Sequence, residues 1–215
     1  MNSYRKTARI VGVLFIIATV AGILSVVFTG PLNVRLEIYP SVYLININEN
    51  ANKIITGTVL VLIMGAAVLP IPAMLYPILK KHNEDLALGY VVFRVIEGAT
   101  YVGTIMSMLL LITLSKEFVL AGAPVDSYYR TLDWLLSEAG VWINHIRIII
   151  FSLSVLILNY ILYRSKLLPR WLSGWGLVAG VLHLAEGLLG MFGLLTAMST
   201  VGNLLAFPIF LQEMV

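Results

Sequence analysis

The 215 residues are 60% hydrophobic and 12% charged, with a formal net charge of +3 and no cysteine. Soluble domains run at about 45–50% apolar and about 25% charged, so a chain this apolar is read as embedded in a membrane. Without cysteine there is no disulfide, no thiolate metal ligand and no thiol nucleophile.

A spanning helix takes about 20 mostly apolar residues. The first is predicted over 10–28, behind Arg5, Lys6 and Arg9. Its apolar run exceeds the usual signal-peptide core of about 7–15 residues, and no small-residue cleavage site precedes Pro31, so it is read as an uncleaved helix. A polar loop follows, with Pro31, Pro40 and the asparagines Asn46, Asn48, Asn50 and Asn52. The second span, 54–79, carries no charge but is interrupted by Pro70 and Pro72. The charged turn Lys80-Lys81-His82-Asn83-Glu84-Asp85 leads to the third span, 86–114, which holds Arg94 and Glu97.

A second long loop is predicted over 115–138. Within it, Asp126 is placed to cap a short helix with Tyr128, Leu132, Leu135, Leu136 and Ala139 on one face, lying in the membrane interface. The fourth span is 141–163 and the fifth 171–198. A partial sixth covers 202–215, about 14 residues, which is too short to cross at about 1.5 Å per residue. Either the chain is cut short at Val215 or its end lies part-way through the bundle. The expected fold is therefore one all-α transmembrane domain over 1–215, a polytopic bundle of five full spans plus a partial sixth.

Orientation follows from lysine and arginine. Arg5, Lys6, Arg9, Lys80, Lys81, Arg164, Lys166 and Arg170 fall on one side, eight in all, and Arg35, Lys53, Lys116 and Arg130 on the other, four in all. The remaining two of the fourteen, Arg94 and Arg147, lie within spans. The eight-residue side is read as cytoplasmic, together with the N-terminus.

Ionisable groups in hydrocarbon are costly and rare unless they face protein or a polar cavity. Two strings stand out for that reason: Arg94-Val95-Ile96-Glu97-Gly98 and His183-Leu184-Ala185-Glu186-Gly187. Tyr90, Arg94, Glu97, Tyr101 and Thr104 share one helix face by their four-three spacing. Gly176, Ala179, His183, Glu186, Gly190, Gly193 and Ala197 do the same on the fifth span, as a stripe of small residues that allows close approach. The third span's long side chains are expected to lie over the fifth span's glycines. Counted from the cytoplasmic end, Glu97 lies about 16 Å deep, His183 about 18 Å and Glu186 about 22 Å, with Glu213 about 16 Å from the opposite side. If His183 is neutral, Arg94 compensates only one of Glu97 and Glu186, and the other carboxyl becomes a candidate proton carrier. The candidate ligand- or proton-binding set is thus Arg94, Glu97, Tyr101, His183, Glu186 and Glu213.

Other polar residues point less clearly to chemistry. Arg147, about 24 Å from the cytoplasmic end of the fourth span, can snorkel to headgroups. His145 lies about 9 Å from the depth of His183, which disfavours a haem held between them. His82 belongs to the solvated basic turn. A metal site fits poorly, since di-iron-type bundles use paired Glu-x-x-His motifs and the first string has arginine where histidine is needed. No nucleophile elbow, zincin motif or phosphate loop occurs, and nothing supports nucleic-acid binding. No cofactor is expected.

The pattern also points to an internal duplication. Leu75-Tyr76 precedes one basic turn and Glu97-Gly98, while Leu162-Tyr163 precedes another and Glu186-Gly187. Both hairpins run in the same direction, so the repeat would be of the parallel type. The fourth span lacks a counterpart to Pro70 and Pro72, which weakens the symmetry.

The chain resembles an uncharacterised bacterial membrane-protein family catalogued as domain of unknown function 4386. The resemblance rests on Asn2-Ser3-Tyr4-Arg5-Lys6-Thr7-Ala8-Arg9, on 75–94 with Glu97, on 163–176 and on Gln212-Glu213-Met214-Val215. It implies a multi-pass protein of the bacterial plasma membrane and carries no established activity. Members look as though they continue past the Gln-Glu-Met-Val stretch into a completed last helix.

Three readings compete. The favoured one is binding or moving a small molecule or proton at the midplane cluster, which is not enzymatic. The second is a structural or accessory membrane protein whose buried ion pairs fix helix packing. The third is an intramembrane metal-dependent hydrolase. The bilayer is the one partner the composition requires, and the oligomeric state is open.

Overall fold

A computed structural model of the protein describes residues 2–30, 32, 40–124, 127–195 and 200–213. Among the described residues the regular structure is helical throughout: α1 (Asn2–Phe28), α2 (Pro40–Glu49), α3 (Ala51–Val68), α4 (Pro70–Leu79), α5 (Glu84–Leu120), α6 (Ser127–Ser165), α7 (Arg170–Met191) and α8 (Thr200–Glu213). Among the described residues, five stretches are long and apolar enough to cross a bilayer: Arg5–Phe28, Ala51–Leu79, Glu84–Leu120, Tyr128–Ser165 and Arg170–Met191. The protein is an all-α, multi-pass integral membrane protein, as its composition requires, and α8 adds a shorter sixth apolar helix.

The helix ends differ from the expected ones for identifiable reasons. The stretch expected to be a polar loop contains α2. Tyr43, Leu44 and Ile47 are buried there, followed by Ala51 and Ile54 in α3, a helical spacing that the intervening asparagines obscure. Asn50 donates from Nδ2 to both the backbone and side-chain oxygens of Asn46 at 2.9 Å, so two of those asparagines satisfy each other along the helix. Pro70 and Pro72 break the second span where expected: Leu69 separates α3 from α4 while keeping helical angles, because proline lacks the N–H of the intrahelical bond.

The loop expected over 115–138 is largely helix. α5 runs 37 residues and α6 runs 39, about 55 and 58 Å at 1.5 Å per residue, well beyond a hydrocarbon core of about 30 Å. The expected helix exists, but it is the first part of α6. Its buried side holds Asp133 with the half-buried Tyr129, Leu132 and Leu136, while Tyr128 and Leu135 are exposed. Asp126 lies outside the described residues. α5 ends in a Schellman-type turn, in which Ala123 N donates to Phe118 O at 3.0 Å and Gly122 takes φ +82°. The fifth span ends at Met191 rather than 198, because Gly193 at φ +69° allows Leu194 N to bond Leu189 O at 2.9 Å.

The chain divides into two compact units. The first comprises Met1–Phe15, Val68–Thr100 and Asn144–Val215. Its core includes Leu79, Ala87, Tyr90 and Ile161, and a separate cluster of Val155, Ala179 and Ile209 with Phe151 packed against it. Asn83 caps α5 by accepting from Leu86 N at 2.9 Å, and Glu84 and Asp85 in the first turn complement the helix dipole. The second unit comprises Ile16–Ala67 and Tyr101–Ile143. There α2 and α3 pack Tyr43, Ile47 and Ile54 against Leu111 and Ile112 of α5, while Leu44 meets Leu114 and Phe118.

Candidate functional site

Residues Arg94 and Glu97 lie one turn apart on α5, within the first unit. Arg94 Nη1 is 3.0 Å from Glu97 Oε2, with the two side chains 4% and 2% exposed. Removing charges from water is expensive, and a pair buried this deeply persists only when each neutralises the other. The i, i+3 spacing achieves that within one helix. Tyr90, one turn earlier and fully buried, places its ring centroid 5.7 Å from the Arg94 guanidinium carbon.

On α7, His183 Nδ1 is 2.7 Å from Glu186 Oε2. These side chains are 12% and 19% exposed, so the second pair is the more accessible of the two. An imidazole nitrogen and a carboxylate oxygen at that distance share one hydrogen bond.

The two pairs are joined by a residue that the pattern of charges did not single out. Phe151 of α6 lies with its ring centroid 4.8 Å from the Arg94 guanidinium carbon. The same ring meets His183 at 5.7 Å with an interplanar angle of 89°, an edge-to-face contact. Its electron-rich face attracts the cation, and its geometry with His183 is the favoured arrangement for aromatic neighbours. The sequence carries no signal for it, since a phenylalanine in an apolar span is unremarkable.

The glycine of each string has a packing role. A side chain at Gly98 would run into Leu69, at the break between α3 and α4. A Cβ at Gly187 would lie 2.8 Å from Ile148 Cγ2 and 2.9 Å from Ile149 Cγ1 of α6. Gly180 faces Leu156, and Gly190 leaves room for the buried His145 ring. The expectation that α7's glycines lie under α5 is therefore replaced: Gly180, Gly187 and Gly190 face side chains of α6, and Gly176 faces Asn159 of α6 and Gln212 of α8. The Arg94 and His183 pairs come together through α6 as well.

The remaining candidates fall elsewhere. Tyr101 belongs to the second unit, where its ring faces Gly65 of α3, 3.4 Å from a Cβ built there. Glu213 ends α8, but its side chain lies outside the described residues. Its neighbour Gln212 donates from Nε2 to Asn159 Oδ1 at 2.8 Å, beside Gly176, about two turns along α7 from His183. Arg147 donates to Asn144 on its own helix. Among the described residues, no three His, Asp or Glu side chains gather closely enough to hold a metal ion.

A second polar level was not anticipated. Asn159, buried in α6, donates to Val155 O at 2.9 Å and accepts from Gln212. A side chain at Gly176 would overlap both amides, so the glycine makes the amide pair possible. An asparagine within a long apolar span was the available signal.

No curated protein and no solved structure matches the chain. A family model described as Domain of unknown function (DUF4386) matches residues 10–215. With that match covering nearly the whole sequence, the chain belongs to this family of domains of unknown function.

Proposed function

We propose that the protein binds or moves a small molecule or a proton at the cluster formed by Arg94, Glu97, His183 and Glu186. The observation that carries this reading is the shared contact of Phe151 with Arg94 and His183. It sets a deeply buried ion pair beside a more accessible hydrogen-bonded pair. Buried ionisable groups within a span are functional candidates by default. The eight-to-four bias of lysine and arginine supports a cytoplasmic N-terminus, and the resemblance noted above supports a bacterial plasma membrane.

The test pairs function with stability. Glu186→Gln is expected to abolish ligand- or proton-dependent activity in reconstituted vesicles while leaving the thermal midpoint nearly unchanged. Intact activity in both Glu97→Gln and Glu186→Gln would sink the proposal. Orientation is tested by thiol labelling of His82→Cys and Ala121→Cys in intact cells, since the chain has no native cysteine. Only the second is expected to react with an impermeant reagent.

A packing role for the ion pairs is the second reading, and the tight glycines Gly98 and Gly187 favour it. In that case both glutamine variants lower the thermal midpoint and neither changes a ligand response.

A further inference from the structure

The seam where α6, α7 and α8 meet in the first unit is layered. At one level Phe151 of α6 touches His183 of α7. One helical turn away, Val155 of α6, Ala179 of α7 and Ile209 of α8 form an apolar cluster, all three buried. A further turn on, Asn159 of α6 and Gln212 of α8 bond across Gly176 of α7. The spacing is regular on each helix: 151, 155 and 159 on α6, 183, 179 and 176 on α7, and 209 and 212 on α8. The polar level continues to Ser173, fully buried on the same face of α7.

Two oxygens at this level matter most. Among the described residues, Ser173 Oγ and Gln212 Oε1 are both buried and have no hydrogen-bond partner. Buried polar atoms are nearly always paired, with protein or with water. A serine hydroxyl and an amide oxygen beside an amide pair offer the two or more polar partners that an internal water requires. The apolar layer beyond them offers none.

We propose that this seam is a gated water route for protons, running from the N-terminal end of α7 to the His183–Glu186 pair. Ser173, Asn159 and Gln212 hold water at its mouth, and Val155, Ala179 and Ile209 are the dry gate. The gate's moving part is α8. That helix is tied down by the Gln212–Asn159 bond and by Trp175, whose Nε1 donates to Pro208 O at 3.1 Å. When α8 shifts, Ile209 leaves the apolar layer and water continues to His183, where a proton passes to or from the pair. This route rests on the functional reading above, because it supplies protons to the same cluster.

Single-cysteine accessibility tests the route without relying on activity. Membrane vesicles carrying Ser173→Cys, Ala179→Cys or His183→Cys are treated with a small, charged, impermeant thiol reagent from each face in turn. Ser173→Cys is expected to react from the face bearing the α7 N-terminus, and Ala179→Cys to stay protected. Adding Ile209→Ala to His183→Cys is expected to raise its labelling rate from that face about tenfold, through loss of buried methylenes from the gate. Ile209→Val, a smaller change, should give an intermediate rate and guards against a variant that fails to fold. The proposal is overturned if Ser173→Cys is unreactive, or if neither Ile209 variant changes labelling at position 183. Loss of the functional reading alone would leave these labelling rates as expected while Glu186→Gln remained active.

Discussion

The Arg94 guanidinium carbon stands 4.8 Å from the centroid of the Phe151 ring, on a different helix. A cation over an aromatic face contributes about 0.5–2 kcal/mol, more when water is excluded, and here both Arg94 and its carboxylate partner are buried. Phe151→Leu keeps the apolar volume and removes the ring. It should lower the thermal midpoint in detergent, and so should Arg94→Lys, whose compact ammonium cannot stack as guanidinium does. Since both act on one contact, the double variant should cost clearly less than the sum of the two.

Breaking the Arg94–Glu97 pair from one side leaves a charge without its partner at 3.0 Å. Removing one member of a buried pair typically costs about 3–5 kcal/mol, whereas replacing both with apolar residues is often neutral. Arg94→Met alone and Glu97→Leu alone should each unfold at much lower temperature or denaturant. The combined Arg94→Met, Glu97→Leu variant should recover most of the loss. A double variant as unstable as the sum of its parts would show that the pair is not what matters.

The glycines separate packing from chemistry. Gly187→Ala places a methyl 2.8 Å from Ile148 Cγ2 and 2.9 Å from Ile149 Cγ1. Overpacking of this kind costs about 1–3 kcal/mol. Gly98→Ala should be harmful too, because of Leu69, and Leu69→Ala should rescue it. Gly174 has no neighbour within 4 Å of a Cβ built there, so Gly174→Ala should be neutral or stabilise α7 by up to about 1 kcal/mol through helix propensity. Thermal midpoints of the three glycine-to-alanine variants, and of Gly98→Ala with Leu69→Ala, would check the order.

Interhelical side-chain bonds in membranes contribute about 0.6 kcal/mol on average and about 1.7 at most. Asn159→Ala and Gln212→Ala should therefore leave the fold intact yet loosen α8, which the pair ties to α6. Limited proteolysis should cut within 200–213 faster in either variant, and the double variant should behave like each single one. Unchanged cleavage would mean that the Trp175–Pro208 contact and the apolar layer hold α8 without help.

Class and span count were legible in the sequence because they depend only on local composition. An apolar run of about 20 residues must become a helix in lipid, where each backbone polar group has to be satisfied within its own segment. The partners of Arg94 and His183 were legible as well, since residues three apart in a helix meet whatever surrounds them. The helix ends were harder to read. α2 hides its apolar spacing among asparagines, and the hydrophilic ends of α5 and α6 resemble loop because they are helices longer than the bilayer is thick.

The long-range relations belonged to the tertiary structure. Apolar residues are interchangeable to a pattern of charges, so nothing in the order of residues singles out Phe151 as the contact between the two ionic pairs. Nor could spacing tell that α7's glycines accept α6, because a small-residue stripe specifies close approach without specifying the neighbour. Local chemistry set the two Arg/His-x-x-Glu-Gly pairs by itself. Which helix joins them, and which apolar layer packs beside Phe151, was decided by side-chain shape across three helices.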